Sequence, residues 1–162
     1  MPLDLVIASK IGAPGNPEFA VGAVDPGGEV TQNTYTGYSL GDLQHLSGPV
    51  REKIRKRIEL YRGTSEPPDI AGRRVILVDD GIATGLTALS AIDYIRRLGA
   101  ASVVLAVPVI AADTARAMRE RVDELVTIEE PQLFYAVGQF YRRFDQTSDD
   151  EVLAEMADWR TG

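Results

Sequence analysis

Two adjacent carboxylates, followed within seven residues by two glycines and two threonines, are the part of this chain that could do chemistry. They stand in VILVDDGIATGLTALSAI, residues 75–92. There an apolar run ends on Asp79 and Asp80, passes through Gly81, Ile82, Ala83, Thr84 and Gly85, and enters a helix-like stretch at Leu86 and Thr87. A helix N-terminus offers unpaired backbone N–H groups and a partial positive charge, and glycines let such a backbone close around a phosphate. Thr84 and Thr87 add hydroxyl donors to the same anion. The carboxylates would repel it, so they call for partners of their own: sugar hydroxyls, which donate hydrogen bonds, or a magnesium ion. A phosphorylated sugar meets both demands. The plainer alternative, that the two acids merely end a strand and Thr84 caps a helix, has to explain nine matching positions in a row, residues 79–87.

The elements around this loop should position it. RRVILVDD reads as a strand covered on both faces, because its apolar run is continuous. Leu89, Ile92, Ile95 and Leu98 share a helical stripe that Gly99 closes. SVVLAVPV predicts a second buried strand, DTARAMRERV a helix and ELVTIE a third strand. That alternation implies parallel pairing with right-handed crossovers, and ligands of such sheets bind beyond the carboxyl ends of the strands, where residues 79–87 lie.

Upstream, residues 3–8 predict a short buried strand and residues 10–18 an irregular loop, since two prolines and two glycines interrupt them. Residues 19–24 and 29–33 flank Asp25-Pro26-Gly27-Gly28, a hairpin-turn signal. Residues 34–48 are polar and glycine-rich and are assigned no element. Val50, Ile54, Ile58 and Tyr61 mark a helix between Pro49 and Gly63, whose basic side chains read as a solvated face. Ser148-Asp149-Asp150-Glu151 is a capping-box pattern opening a last helix with Val152, Leu153, Met156 and Trp159.

Composition narrows the chemistry further. A chain of 162 residues, 44% hydrophobic and 25% charged, predicts one globular domain over residues 1–162. Without cysteine there is no thiol catalysis and no Cys-ligated zinc, and with His45 as the single histidine a His-based metal site or triad cannot be assembled. The first ten residues carry neither a signal-peptide pattern nor a membrane span, so a cytoplasmic protein is expected. A net charge of −7 argues against nucleic acid as a partner. Other phosphate loops fail on particular residues. Gly85-Leu86-Thr87 lacks the lysine of a Walker loop, and no G-x-G-x-x-G follows a strand. The three lysines, Lys10, Lys53 and Lys56, all precede the acids, whereas a receiver domain needs one after them.

VILVDDGIATGLT resembles the phosphoribosyl pyrophosphate (PRPP) motif of type I phosphoribosyltransferases: four apolar residues, two acids, two small or apolar residues, then Ala/Asp-Thr-Gly-x-Thr. DLVIASKIGAPGNPEFAVGAV and FYAVGQFYRRF resemble an uncharacterised branch of the same family, so the similarity spans most of the chain. The resemblance implies an α/β fold: a parallel β-sheet flanked by helices, a phosphoribosyltransferase-like core, a β-hairpin flap over about residues 11–33 and a small C-terminal hood.

It also implies roles. Asp79 and Asp80 would hold the ribose 2- and 3-hydroxyls, directly or through Mg2+. Gly81, Ile82, Ala83, Thr84, Gly85, Leu86 and Thr87 would cradle the 5-phosphate. Lys10 sits where family members often carry a basic residue near the pyrophosphate, with a solvated lysine as the alternative. Tyr135 falls where purine-salvage members stack the base, although an aromatic in such a cluster is more often core. Ala83 removes the base-side Asp of hypoxanthine-guanine enzymes, and Arg142 replaces the acid that completes a purine site, so the acceptor is a nitrogen nucleophile of unassigned identity.

The family begins with a helix and a strand that ends in a pyrophosphate-binding loop. The resemblance therefore implies that this front end is missing, with an unpaired sheet edge, and hence a homodimer or a partner supplying the segment. Two functions fit: Mg2+-dependent transfer of the ribosyl 5-phosphate of PRPP with release of pyrophosphate, or a non-catalytic module that binds PRPP or a nucleotide.

Overall fold

In the computed structural model residues 2–161 are described. Along the chain run β1 (Ser9–Ala13), β2 (Asn16–Val24), β3 (Val30–Gln32), α1 (Leu40–Leu46), α2 (Gly48–Arg62), β4 (Arg74–Val78), α3 (Leu86–Arg97), β5 (Ser102–Val109), α4 (Ala112–Arg119), β6 (Glu124–Glu129), a 3-10 turn (Val137–Phe140) and α5 (Asp149–Thr161). They form two compact units: one from the residues up to Pro68 together with those from Asp145 onward, the other Asp69–Phe144. Among the described residues no helix is long and apolar enough to cross a membrane.

In the first unit β1, β2 and β3 form an antiparallel meander. Its inner face packs Ile11, Val21 and Val24 against Leu43 of α1 and Ile54 and Ile58 of α2. The turn between β2 and β3 is built as its sequence predicts. The buried Asp25 carboxylate accepts from the Gly27 N–H at 2.8 Å and the Glu29 N–H at 3.1 Å, and Gly28 takes the left-handed conformation, φ 86°. The basic strip of α2 belongs to an exposed face, where Arg55 pairs with Glu52 and Glu59.

Three upstream expectations need correction. Residues 10–18 are not an irregular loop but the tip of a hairpin. Gly15, φ 76°, makes the reversal, and β-bulges at Gly12 accommodate Pro17, whose carbonyl oxygen lies 2.5 Å from where a Gly12 Cβ would stand. Residues 3–8 form no strand, because no described strand lies beside them to take their ladder bonds; the Arg62 guanidinium binds the Leu5 carbonyl and the Asp4 carboxylate instead, both at 2.8 Å. Within residues 34–48 lies α1, opened by a reciprocal box. The Ser39 hydroxyl accepts from the Asp42 N–H at 3.2 Å, and the Asp42 carboxylate accepts from the Ser39 N–H at 2.8 Å. The expected box before α5 is present: Ser148 and Glu151 exchange the same pair of bonds. Met156 of α5 is buried and Trp159 exposed, and Tyr61 of α2 donates to Asp149 at the helix start.

The second unit is the parallel sheet, in the order β4-β5-β6. Val75 pairs with Val103, Leu77 with Leu105, and Leu105 with Leu125, so their side chains share one face. The connections β4-α3-β5 and β5-α4-β6 step in the same direction. Right-handed crossovers then put α3 and α4 on one side, and Val103, Leu105, Val107 and Val109 are buried beneath them. On the opposite face Ile76, Val78, Val126 and Ile128 are exposed, Ile128 by 82%, while Val104 at the centre of that face is buried. The expectation that β4 is covered on both faces is therefore wrong. A continuous apolar run states what a strand can bury, and only one side of this sheet receives helices.

Ser90, in the middle of α3, is fully buried and its hydroxyl has no partner among the described residues. A buried unpaired hydroxyl costs about 1–3 kcal/mol of desolvation. Ser90→Ala is expected to raise the stability of the sheet unit by about 1 kcal/mol, read as a higher urea midpoint at unchanged slope. A lower midpoint would show that the hydroxyl is satisfied in solution.

Candidate functional site

The loop that leaves β4 is held at its middle rather than its ends. Ile82, 4% exposed, forms a parallel bridge with Ile110: its N–H donates to the Val109 carbonyl at 3.0 Å, and its carbonyl accepts from the Ala111 N–H at 2.9 Å. The Thr114 hydroxyl of α4 donates to the Ala83 carbonyl at 2.5 Å. Residues 79–81 and 83–85 are thereby suspended on either side of one pinned residue, beyond the carboxyl end of the sheet.

Both glycines of the motif sit where a side chain does not fit. A Cβ on Gly81 would stand 2.6 Å from Val137 Cγ1 and 2.9 Å from Val109 Cγ1. At Gly85 the backbone is left-handed, φ 76°, and a Cβ would meet Met118 Cε at 2.5 Å and Thr114 Cγ2 at 2.7 Å. Gly85 is itself the N-cap of α3 and so supplies no side-chain cap; Thr84, offered above as the plainer capping residue, does not take that place. The first N–H groups of a helix have no intrahelical partner. Here those of Leu86, Thr87 and Ala88 lie beside the half-buried side chain of Thr87, at the positive end of a 12-residue helix dipole.

Asp79 and Asp80 precede this cradle. The Asp80 N–H donates to Asp79 Oδ1 at 2.9 Å. Partial desolvation pushes the Asp79 carboxyl above its ordinary value; the Asp80 N–H opposes that, and the neighbouring Asp80 charge adds to the rise. A pair in this condition favours whatever neutralises it: hydroxyl donors, a divalent cation or, as the pH falls, a proton. Among the described residues no group of three or more acidic or imidazole ligands surrounds a common point. Two carboxylates alone suit magnesium, which keeps several waters and takes further oxygens from a phosphorylated substrate. Asp79 and Asp80 would hold it.

The remaining predicted residues lie elsewhere. Tyr135 follows β6 and is 84% exposed, so its ring is not core. Phe134 packs on Phe140, ring centroids 5.0 Å apart, and Tyr141 on Phe144 at 5.2 Å, which leaves the Tyr135 ring outside both pairs. Its N–H donates to Gln139 Oε1 at 2.9 Å. Lys10 belongs to the other unit, on β1, and its ammonium is paired with Glu18 at 2.8 Å. Four residues that hold the loop carried no separate signal in the sequence: Thr114, Met118, Val137 and Tyr141. The last three of these touch the loop through side chains from α4 and from the aromatic segment, contacts visible only once the chain has folded.

The strand ending in two acids, the glycine-threonine loop pinned at one apolar residue and the helix that follows all lie within residues 2–145, which the family model of the phosphoribosyl transferase domain matches. The chain belongs to the phosphoribosyl transferase domain family. Two relatives from Mycobacterium tuberculosis, strains CDC 1551 / Oshkosh and ATCC 25618 / H37Rv, each carry the name "Putative phosphoribosyl transferase" and are 39% identical over 159 residues. That match covers 94% of this chain and 35% of each relative, so the chain spans about a third of their length. A crystal structure of TT1426 from Thermus thermophilus superposes with a TM-score of 0.78 at 39% identity, over 98% of this chain and 76% of that one. The α/β fold read from the phosphoribosyltransferase motif is thus the fold of a solved relative, with a parallel sheet flanked by helices and a separate hairpin sheet.

The packing around Gly85 makes a prediction for this phosphoribosyltransferase domain. Gly85→Ala combines a left-handed backbone with overpacking against Met118 and Thr114, and should destabilise the sheet unit by about 2–4 kcal/mol. Thermal and urea unfolding would measure it. A change below about 0.5 kcal/mol would show that α4 moves aside freely.

Proposed function

We propose that the chain binds PRPP on residues 79–87 and transfers its ribosyl 5-phosphate to a nitrogen acceptor, releasing pyrophosphate. The observation that carries this reading is the loop itself, which offers carboxylates and unpaired backbone donors side by side. The phosphate lies among the N–H groups that open α3, with Thr84 and Thr87 as hydroxyl donors. Asp79 and Asp80 accept from the ribose hydroxyls. The bond from the anomeric carbon to the pyrophosphate oxygen breaks as that carbon bonds to the acceptor nitrogen, which afterwards loses its proton. Positive charge develops on the sugar ring in between, and a carboxylate held beneath it, Asp80, stabilises that charge. Asp79 and Asp80 would hold a magnesium ion, which would supply charge neutralisation for the diphosphate. Ala83 brings no side-chain base to the acceptor, so the nucleophile loses its proton to solvent or to the product diphosphate. Tyr135, exposed and aromatic, is free to stack on a flat acceptor ring.

Lys10 fits a pyrophosphate contact only if its ammonium leaves or shares Glu18. Exposed ion pairs are worth about 0–1 kcal/mol, a small barrier against a polyanion. The second reading is a non-catalytic module that binds PRPP or a nucleotide on the same residues 79–87. Pyrophosphate release during incubation with PRPP, magnesium and a panel of nucleobases separates the two.

Asp80→Asn should weaken PRPP binding in calorimetry with magnesium by about 1.5–3 kcal/mol, the loss of one charge-assisted hydrogen bond. Unchanged affinity in that variant removes the ribose role of the acid.

The exposed apolar side chains of the sheet support a further part of the reading, association through Ile76, Val78, Val126 and Ile128 with a second copy or with a polypeptide segment supplied by a partner. β4 is an edge strand, with ladder groups free for pairing. Light scattering of the purified chain should give twice the monomer mass for a homodimer, and Ile128→Lys should return it to the monomer. A monomer that stays soluble at high concentration would remove the homodimer.

A further inference from the structure

The aromatic segment after β6 does more than offer Tyr135. Sixty-one residues along the chain from Asp80, the Tyr141 hydroxyl donates to the Asp80 carbonyl at 2.6 Å. Its ring lies on Phe144, and Val137 of the same segment fills the space that a Gly81 side chain would occupy. The peptide that joins Asp80 to Gly81 is therefore held at both ends, its carbonyl by a hydroxyl and its α-carbon between Val137 and Val109.

That peptide is the one most in need of holding. Glycine on its C-terminal side removes the steric penalty that would otherwise favour one orientation of the peptide plane. A trans peptide carries its N–H opposite its C=O, so fixing the Asp80 carbonyl toward Tyr141 turns the Gly81 N–H away from it. Among the described residues that N–H donates to nothing. Fixing the plane also fixes the backbone dihedral at Asp80 and with it the direction in which the carboxylate leaves the chain.

We infer that Tyr141 is a positioning residue for the ribose-phosphate loop: its hydroxyl locks the Asp80–Gly81 peptide so that the Asp80 carboxylate and the Gly81 N–H face the ligand together. The inference rests on the PRPP reading given above for the nature of the ligand, and on the hydrogen bond alone for the lock. It also gives the aromatic segment a second task. The residues that carry the exposed Tyr135 ring are tied to the Asp80 backbone through Tyr141.

Tyr141→Phe tests this, because it keeps the ring on Phe144 and removes only the hydroxyl. Two measurements are made on the whole chain. The first is by NMR without ligand: the Asp80 carbonyl carbon should shift upfield on losing its donor, and the Gly81 amide resonance should move or broaden as the peptide plane loses its restraint, while the thermal midpoint changes little. The second is calorimetry with PRPP and magnesium, where affinity should fall roughly tenfold, within what one hydrogen bond contributes. Inorganic phosphate, which needs only the α3 end of the loop, should bind the variant as it binds the parent. An unshifted Asp80 carbonyl with an unchanged Gly81 amide overturns the lock. A shifted carbonyl with PRPP affinity unchanged overturns its part in ligand positioning. Failure of the parent chain to bind PRPP would instead sink the PRPP reading, and the NMR arm would still decide whether Tyr141 holds the loop.

Discussion

A backbone that is to bind an anion must keep its N–H groups unpaired, and an unpaired backbone has lost the usual means of holding its shape. The loop after β4 resolves that conflict by concentrating its restraints on a few atoms. Ile82 makes both of its backbone bonds to the end of β5, Thr114 takes the Ala83 carbonyl and Tyr141 the Asp80 carbonyl. These restraints use carbonyls, apart from the single N–H of Ile82. The donors of residues 81 and 86–88 are left for a ligand, and the glycines are where the fold presses closest, against Val137 at one and Met118 at the other. Rigidity of this kind lowers the ordering cost of binding, since the donors need not be collected when the ligand arrives.

The sheet beneath exists to present that loop, and its asymmetry follows from the order of its strands. Two crossovers in one direction bury Val103, Leu105, Val107 and Val109 and leave Ile76, Val78, Val126 and Ile128 outside. Parallel sheets are nearly always covered on both faces. The relative of known structure has about a quarter of its chain unmatched here, and the curated relatives about two thirds, so related proteins carry polypeptide that has no counterpart in these residues.

What the sequence disclosed depended on whether a signal was local. The parallel strands, α3 and its closing Gly99, the Asp25 turn and the Ser148 box were legible because period, glycine position and capping residues lie within a few residues of one another. The 79–87 loop was legible for the same reason, as a contiguous motif. The capping box of α1 carries a weak local signal, because Asp42 stands where Glu or Gln is usual and the flanking glycines suggest a loop. The hairpin at residues 10–18 was hidden by prolines that a bulged edge tolerates. One-sided burial of β4 could not be read at all, since it depends on where helices elsewhere in the chain are sent. The contacts of Thr114, Val137 and Tyr141 with the loop share that property: each joins residues 31 or more apart in sequence.

The charge balance of the site follows from the same geometry. A chain of net charge −7 that places two carboxylates next to a phosphate cradle has to offset repulsion locally. The helix dipole of α3 supplies about half a positive charge at its N-terminus, enough for part of a phosphate and too little for a diphosphate as well. Partial burial raises the Asp79 carboxyl above its ordinary value, and the neighbouring Asp80 charge adds to the rise. The balance therefore depends on what the ligand brings. Hydroxyls that donate to the acids, or a divalent cation that travels with the phosphates, convert the pair from a source of repulsion into a point of attachment. On the proposed reading, a free phosphate offers the acids neither and has only the α3 end of the loop to bind. On the proposed reading, a ligand that carries hydroxyl donors and an anion on one molecule would answer both halves of this loop.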